Sequence, residues 1–223
     1  MQEFEDKRMK KIDYEKWERK EIYEFFSSLS DPFYMVSFKM DVTVLHEYVK
    51  EHGLSFYKAM IWACDEAING VEAFMVSFND GGPVMLERRD PSFTDLKKGS
   101  ELFHIVTMEH HEDIRTFCKE ADLISNGQDA FIDLSKETDG LIYYSCLPWL
   151  ELSAMSNEKD LSSEKSRNDS IPRISWGRFV EEKGRMKLTI CMEVNHRFID
   201  GIHIGMFAER LEKIIAGMEE KAI

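Results

Sequence analysis

A histidine, an aspartate and a glycine lie close together near the end of the chain. His196 is followed four residues later by Asp200 and directly after that by Gly201. Histidine has an unperturbed pKa of about 6.5, which suits a group that takes up and returns a proton near neutral pH. Gly201 allows backbone angles or close approaches that a β-carbon would block, as expected where a strand turns sharply into a helix. His196 is therefore the candidate general base of the chain.

Asp200 could assist His196 in one of two ways. Its carboxylate could orient the imidazole directly, or it could pair with a distant cation and so fix the turn that holds the histidine. The spacing of the two residues does not decide between these roles. By itself the pattern is weak evidence for catalysis, because a lone histidine at the end of a strand is more often a surface residue than a base.

The length and composition of the chain predict one domain over residues 1–223. With 223 residues and 43% hydrophobic content, the chain is long enough for one substantial core. No stretch approaches the roughly 20 apolar residues of a membrane span, and the start of the chain lacks the apolar segment of a signal peptide. We therefore expect a cytoplasmic protein with no membrane partner, in which the charged residues 1–12 are frayed.

The charge and the cysteines argue against several classes of function. The formal net charge of -13 argues against a non-specific nucleic-acid binder, because neutralising phosphates requires clustered Lys and Arg. The four scattered cysteines predict neither a disulfide framework nor a zinc site, and we expect no metal. No dinucleotide-binding or P-loop glycine pattern is present. An anionic ligand would need a local cluster of cationic side chains. The candidates for such a cluster could equally be solvated residues of a strand edge and turn; they are Arg173, Arg178, Lys183 and Arg185.

Hydrophobic periodicity predicts helices and strands that are mixed along the chain without a repeat. Predicted helices cover residues 13–26, 42–51, 55–69 and 112–124, and a last helix carries apolar residues on one face from Phe207 to Met218. Predicted strands cover residues 33–42, 73–78, 84–87, 102–108, 140–146, 171–180 and 186–194. The polar segment 153–170 is predicted to be a mobile loop. This order of elements predicts an α/β or α+β fold with a mixed β-sheet.

Motifs far apart in the sequence resemble those of the chloramphenicol acetyltransferase family. Residues 195–203, NHRFIDGIH, are similar to the family's H-H-x-x-x-D-G-x-H, residues 144–149, YSCLPW, to its I-S-A-L-P-W, and residues 17–21, WERKE, to its W-x-R-R-E. The resemblance extends from Trp17 to the last helix. It implies a coenzyme A-dependent acyltransferase fold, a two-layer sandwich of helices on a mixed sheet. It also implies transfer of an acetyl group from acetyl-CoA to a hydroxyl of a small acceptor, for which the family suggests chloramphenicol and thus antibiotic inactivation.

The resemblance implies a catalytic role for several residues. His196 falls on the family's general base, and Ser145 falls on the serine that donates a hydrogen bond to the oxyanion of the tetrahedral intermediate. Arg19 falls on an arginine that would pair with Asp200 and brace the active-site turn. Residues 172–178, PRISWGR, are similar to the family's P-x-I-T-x-A-K, which implies that the Ser175 hydroxyl helps to solvate the transition state.

Substrate-binding residues are implied by the same resemblance. Trp149, Ser175 and Arg178 would contact the coenzyme, with Arg178 near its 3′-phosphate. Residues 90–94, DPSFT, resemble the family's D-P-x-F-T. The implied acceptor pocket is lined by Phe25, Phe26, Thr94, Phe103 and Tyr143. The family also implies a homotrimer whose active sites lie between subunits, with acetyl-CoA as a co-substrate and no tightly bound cofactor.

The chain departs from the family mainly at positions that contact ligands. Asn195 replaces the first histidine of the family motif, Ser55 replaces a lysine that contacts the coenzyme phosphate, Phe26 replaces a pocket tyrosine, and Tyr143 replaces an asparagine just before the oxyanion serine. The polar loop that follows Trp149 is a few residues longer. These changes concern the identity of the acceptor and the affinity for the coenzyme, and not the type of reaction.

Three alternatives remain open from the sequence. The fold could act on another hydroxylated or amino acceptor. The catalytic cores of 2-oxo acid dehydrogenase complexes share the fold and a D-H-R-x-x-D-G version of the motif; we expect no lipoyl domain, Ala/Pro linker or peripheral-subunit-binding segment before the core, which weakens this alternative. The scaffold could also bind a small hydrophobic ligand without turnover, although such a binder would not need His196, Ser145, Arg19 and Asp200 together.

Overall fold

Ten strands and six α-helices make up the described part of the chain, residues 9–79 and 81–218 of a computed structural model. The strands are β1 (Met9–Lys11), β2 (Phe33–Asp41), β3 (Val76–Asn79), β4 (Gly82–Leu86), β5 (Asp90–Leu96), β6 (Phe103–Thr107), β7 (Leu141–Leu147), β8 (Arg173–Gly177), β9 (Val180–Glu182) and β10 (Arg185–Asn195). The helices are α1 (Lys20–Ser27), α2 (Thr43–His52), α3 (Phe56–Asn69), α4 (Ile114–Gly127), α5 (Glu164–Arg167) and α6 (Gly201–Ala216).

Most of the strands belong to one mixed sheet. Its order is β2-β10-β8-β7-β5-β6, and β9 pairs with β10 beside this path. β7 runs parallel to β5 and β8, whereas β10 runs antiparallel to β2 and β8, and β5 runs antiparallel to β6. A second sheet of three short strands has the order β1-β4-β3. The predicted α/β fold with a mixed sheet is confirmed.

The long helices form a layer over the large sheet through their apolar faces. In α6, Ile204, Phe207, Leu211 and Ile215 are buried, and their spacing of three or four residues puts them on one side of the helix. α3 is buried along most of its length because it packs between other helices and the strands β5 and β7. Burial of each large apolar side chain contributes about 1.5–3 kcal/mol, so packing rather than helix propensity holds this layer in place.

Several elements differ from those predicted, and the strand predicted over residues 73–78 begins only at Val76, after a 3-10 turn. β5 was not predicted, because Asp90-Pro91 resembles a turn; Pro91 lies near the start of this strand, where its missing N–H costs little. α1 begins at Lys20 rather than at residue 13, since Tyr14–Lys16 forms a 3-10 turn capped by the Asp13 side chain. The strand predicted over residues 171–180 is interrupted after Gly177, and β9 continues it as a separate short strand.

Two further predictions concern the start of the chain and the polar segment 153–170. The expectation of a frayed start was wrong for Met9–Lys11, which pairs with β4 as β1; residues 1–8 lie outside the described residues. Residues 153–170 contain the short helix α5 and otherwise little regular structure, as predicted for a loop, whereas their mobility stays a prediction. Within residues 9–79 and 81–218, every helix is too short or too polar to cross a lipid bilayer.

Candidate active site

His196 lies directly after β10, in the turn that leads into α6. Its backbone N–H donates a hydrogen bond to the carbonyl of Pro32 at 2.8 Å. Its ring lies between two aromatic rings, stacked on Phe26 at a centroid distance of 4.0 Å and tilted against Tyr34 at 4.4 Å. The side chain is still 34% exposed. Aromatic packing thus restrains the imidazole while one part of it remains accessible to a substrate.

The surroundings of His196 favour its neutral form. Burial of the ring is the main reason that the pKa of His196 lies below its usual value; the Asp200 carboxylate opposes this shift, and the Arg19 guanidinium adds to it. A histidine must be unprotonated to accept a proton. The imidazole is therefore available as a base at neutral pH.

Arg19 ties the turn around His196 together. Its guanidinium donates two hydrogen bonds to the Asp200 carboxylate, at 2.5 and 2.7 Å. It also donates to the backbone carbonyls of His196 at 2.9 Å and Arg197 at 2.8 Å. The Arg19 side chain is only 13% exposed, and its hydrogen bonds hold the pKa of Asp200 below its usual value. One side chain from the start of the chain thus braces the turn near its end.

The geometry distinguishes between the two possible roles of Asp200. Its Oδ1 atom lies 3.5 Å from Nε2 of His196, which is longer than an ordinary hydrogen bond. Its bidentate pair with Arg19 is much closer. Asp200 is also the N-cap of α6, and its backbone N–H donates to Nδ1 of His203 at 2.9 Å. Asp200 therefore serves mainly to brace the turn. We call His196, Asp200, Arg19 and Phe26 the base half of the site.

Ser145 and Ser175 lie side by side in the large sheet. They are paired in register across the parallel strands β7 and β8. Ser175 is buried, and Ser145 is half-buried. The hydroxyl of Thr94, on β5, donates to the Ser145 hydroxyl at 3.3 Å, and the Thr94 carbonyl accepts from the Tyr57 hydroxyl at 2.6 Å. We call Ser145, Ser175 and Thr94 the serine half of the site.

The structure does not bring the two halves together within one chain. Ser145 pairs with Ser175, which in turn pairs with Cys191 on β10. Cys191 lies five positions before His196, and at about 3.4 Å per residue this separates the two by roughly 17 Å along the strand. A single substrate group could not contact the hydroxyl of Ser145 and the imidazole of His196 of the same chain at hydrogen-bond distances.

The aromatic residues assigned to the acceptor pocket lie at different places. Phe25 is 66% exposed on α1 beside Phe26, with their ring centroids 5.1 Å apart. Phe103 is 48% exposed on the edge strand β6 and packs edge-to-face on Phe131 at 5.5 Å. Phe131, itself 54% exposed, was missed by the sequence analysis, although it is an isolated aromatic residue in a polar stretch.

Tyr143 is held more firmly than the other aromatic residues of the predicted pocket. Its hydroxyl donates to the Glu137 carboxylate at 2.8 Å, and the guanidinium of Arg173 lies over its ring at 5.5 Å. Burial, followed by the hydrogen bond to Glu137, raises the pKa of the Tyr143 hydroxyl well above its usual value. Tyr143 is therefore neutral and can contribute a ring face to a ligand.

The residues assigned to the coenzyme lie partly on an exposed loop. Trp149 is 66% exposed, and Arg178 is exposed at the end of β8. The loop after β7 passes close to β8, because the Arg178 N–H donates to the Leu150 carbonyl at 2.6 Å. A β-carbon on Gly177 would lie 2.4 Å from that carbonyl oxygen, which explains a glycine where the resembling family has alanine. Ser175, by contrast, is inside β8.

Ser55 has a structural role in place of the lysine of the resembling family. It is the N-cap of α3, where its side chain accepts a hydrogen bond from the Lys58 N–H. The next residue, Phe56, packs against Phe179 with the ring centroids 5.0 Å apart. The start of α3 and the exposed Arg178 are thereby neighbours on the surface.

Comparison with known proteins places these features in a family. The sequence profile of the family described as chloramphenicol acetyltransferase matches residues 7–212. The chain is 24% identical over 204 residues to a chloramphenicol acetyltransferase of Escherichia coli, with 91% of each protein covered. It is 22% identical over 204 residues to one of Proteus mirabilis, with 91% of this chain and 92% of the relative covered.

Solved structures show the same similarity. A chloramphenicol acetyltransferase structure superposes with a TM-score of 0.82 at 25% identity, covering 93% of this chain and 99% of that chain. A probable dihydrolipoamide acetyltransferase from Listeria monocytogenes superposes with a TM-score of 0.65 at 13% identity, covering 94% of this chain and 95% of that chain. The second similarity extends to the fold alone.

Proposed function

The chain belongs to the chloramphenicol acetyltransferase family, and on that basis we propose that it transfers an acetyl group from acetyl-CoA to a hydroxyl of a small acceptor, with chloramphenicol as the leading candidate. The family match carries this proposal, because it spans both the base half and the serine half of the site. The proposal is supported by the accessible imidazole of His196, whose pKa is lowered and whose turn is braced by Arg19.

The proposed mechanism uses only side chains of the protein. Neutral His196 removes the proton from the acceptor hydroxyl, and the oxygen attacks the thioester carbonyl of acetyl-CoA. Ser145 donates a hydrogen bond to the oxyanion that forms, with Ser175 assisting, and such a donor is worth about 2.7–4 kcal/mol of the barrier. The tetrahedral intermediate then collapses, the carbon–sulfur bond breaks, and the imidazolium returns its proton to the coenzyme A thiolate.

We further propose that each active site forms between two subunits of a homotrimer. The base half of one subunit would face the serine half of its neighbour. This arrangement is supported by the distance along β10. Cys191 is in register with Ser175 and Ser145, and it lies roughly 17 Å from His196. It also gives a reason for the exposure of Phe25 and Phe103, which a facing subunit and an acceptor would cover. A monomer should then be inactive.

The ligand-binding roles follow the same proposal. Trp149 and Arg178 are exposed and adjacent to the end of β8, so they can contact the coenzyme, with Arg178 near its 3′-phosphate. Phe25, Phe26, Thr94, Phe103 and Tyr143 would line the acceptor pocket. Acetyl-CoA is a co-substrate in this account, no tightly bound cofactor is required, and the cytoplasm supplies the donor.

The experiment that tests this function is steady-state release of free thiol from acetyl-CoA by the purified protein, with and without chloramphenicol, at neutral pH. The proposal predicts chloramphenicol-dependent release at a rate between about 1 and 1000 per second. Release that depends on another hydroxylated or amino acceptor would keep the reaction and replace the acceptor. Folded, trimeric protein that binds chloramphenicol without releasing thiol with any acceptor would overturn the enzymatic function and identify a small-ligand-binding protein.

A further inference from the structure

Buried polar residues alternate along the end of β10. Glu193, Asn195 and Arg197 are 3%, 2% and 0% exposed. Residues two apart in a strand point to the same face of a sheet, so Glu193 and Asn195 share a face, and Arg197 follows in the turn. His196 stands between the last two. Three polar side chains close to the candidate base are thus withdrawn from water. A polar group that is buried without a hydrogen-bond partner is costly, so each of them needs partners within the protein.

All three residues contact one segment, the polar residues 153–170, which we call the strap. The Glu193 carboxylate accepts a hydrogen bond from the Asn157 N–H at 2.9 Å and forms an ion pair with Lys159. The side-chain oxygen of Asn157 in turn accepts from the Ser175 hydroxyl at 3.4 Å. The first part of the strap therefore links β10 to the serine half of the site.

Asn195 holds the last part of the strap. Its side-chain amide donates to the carbonyls of Arg167 at 2.8 Å and Asp169 at 2.9 Å. Its side-chain oxygen accepts from the Arg197 N–H at 3.0 Å. A neutral histidine has a single ring N–H, so it could not donate to both carbonyls. Asn195, which departs from the family motif, thus makes two hydrogen bonds to the strap that a neutral histidine could not make.

Arg197 connects the strap to α1. Its guanidinium donates to the Asn168 side chain at 2.5 Å and to the Ser27 carbonyl at 3.3 Å. The hydroxyl of Tyr23, on α1, donates to the same Asn168 oxygen at 2.7 Å. Ser27 follows Phe26, whose ring stacks on His196. Contacts made by Arg197 therefore reach the aromatic ring that restrains the base.

We propose that Glu193, Asn195 and Arg197 are positioning residues that use the strap to hold His196 and Ser175 in their working geometry. Within the described residues, the ring of His196 makes no hydrogen bond to another residue, and Asp200 is 3.5 Å away. The orientation of the imidazole therefore depends on its backbone and on the rings beside it. The strap contacts Asn195 and Arg197, the backbone neighbours of His196, and through Arg197 it is connected to Ser27 beside Phe26. The catalytic consequence rests on the acetyltransferase function proposed above.

The test compares Asn195→Ala with a matched control, Asn126→Ala. Asn126 is exposed, and among the described residues its amide donates only to the carbonyl of Asp122 in its own helix. We expect Asn195→Ala to lower kcat about tenfold or more while KM for acetyl-CoA changes less than about twofold, and the control to match the wild type. Asn195→His should resemble Asn195→Ala, because it cannot restore both hydrogen bonds. Unchanged kcat in Asn195→Ala or in Asn195→His would overturn the proposal.

A second readout does not need activity. The pKa of His196, followed by NMR of its ring protons, should rise towards the usual value in Asn195→Ala and stay unchanged in Asn126→Ala, because loosening of the contacts that hold α1 would let Phe26 move and expose the ring to water. If Asn195→Ala does not fold, Asn168→Ala tests the same claim from the strap, since Asn168 bonds to Arg197. A wild-type protein without acetyl transfer would refute the proposed function, whereas an unchanged pKa in folded strap variants would refute the positioning role.

Discussion

At the residue scale, burial is the main cause of the lowered pKa of His196, and two opposing charges in the same turn modify it. Arg19 lies close enough to lower the pKa of His196, and Asp200 lies close enough to raise it, while burial acts with Arg19. Because Arg19 and Asp200 neutralise each other through two hydrogen bonds, the pair can fix the turn without making the imidazole cationic. The same pair explains why an arginine from the start of the chain is needed beside the base.

The first prediction concerns the base itself. His196→Ala should abolish turnover, because no other described side chain occupies its place between Phe26 and Tyr34. Folding should be retained, since the ring is partly exposed. The measurements are kcat with the best acceptor and the thermal unfolding midpoint, with His52→Ala on α2 as a control that keeps full activity. Retention of a tenth of the wild-type activity would remove His196 from the mechanism.

The second prediction concerns pH. Activity requires neutral His196, so kcat/KM should rise with pH through the pKa of this residue and be level by neutral pH, because burial holds that pKa below its usual value of about 6.5. Arg19→Leu removes the cation that lowers this pKa and leaves the Asp200 carboxylate that raises it. The acid limb of kcat/KM should therefore move to higher pH in the variant. A limb at the same pH in both proteins would show that Arg19 does not act on the base.

At the element scale, local patterns in the sequence predicted more than long-range contacts. α3, which is almost wholly apolar, and β2 were predicted within about one residue of their observed bounds, whereas for α6 the sequence predicted an apolar face from Phe207 to Met218 and not its start at Gly201. β5 was missed because Pro91 is read as a turn when its neighbouring strands are unknown. The spacing of His196, Asp200 and Gly201 is visible directly in the sequence, and it predicted the turn that holds the candidate base. The contact between Arg19 and Asp200 joins opposite ends of the chain, so only the family resemblance suggested it.

The strap illustrates why the rest of the site could not be predicted. Its composition is that of a solvated loop, and no periodicity marks Asn157 or Asn168 as partners of buried residues. Glu193, Asn195 and Arg197 alternate in the sequence, but a polar alternation usually indicates a face exposed to water. Only the fold shows that this polar face is covered by a polar segment.

The third prediction concerns the contact between the loop after β7 and β8. Gly177→Ala should displace the loop that carries Trp149, because the added β-carbon would lie 2.4 Å from the Leu150 carbonyl oxygen. We expect KM for acetyl-CoA to rise severalfold, about 3- to 10-fold, with a smaller change in kcat. Steady-state kinetics with varied acetyl-CoA measures this effect. Gly205→Ala is the matched control, since nothing lies within 4 Å of its added β-carbon, and an equal effect in the two variants would refute the steric account.

At the scale of the whole molecule, one chain holds both halves of the site but keeps them apart. The base half lies where β10 turns into α6, whereas the serine half lies inside the sheet on β5, β7 and β8. Closed rings of identical subunits place one surface of each copy against a different surface of the next. Such a ring would unite a base half and a serine half at every interface. It would also cover apolar side chains such as Phe25 that are exposed in the single chain.

The most direct test is complementation between two inactive variants. His196→Ala and Ser145→Ala proteins are unfolded, mixed in equal amounts and reassembled, and thiol release is compared with that of each variant reassembled alone. If each site takes His196 from one subunit and Ser145 from the next, about one quarter of all sites contain both residues after random reassembly of equal amounts. We predict that the mixture recovers about one quarter of the activity of reassembled wild-type protein. Activity no higher than the sum of the two variants, in trimers shown to be mixed, would contradict a catalytic site shared between subunits.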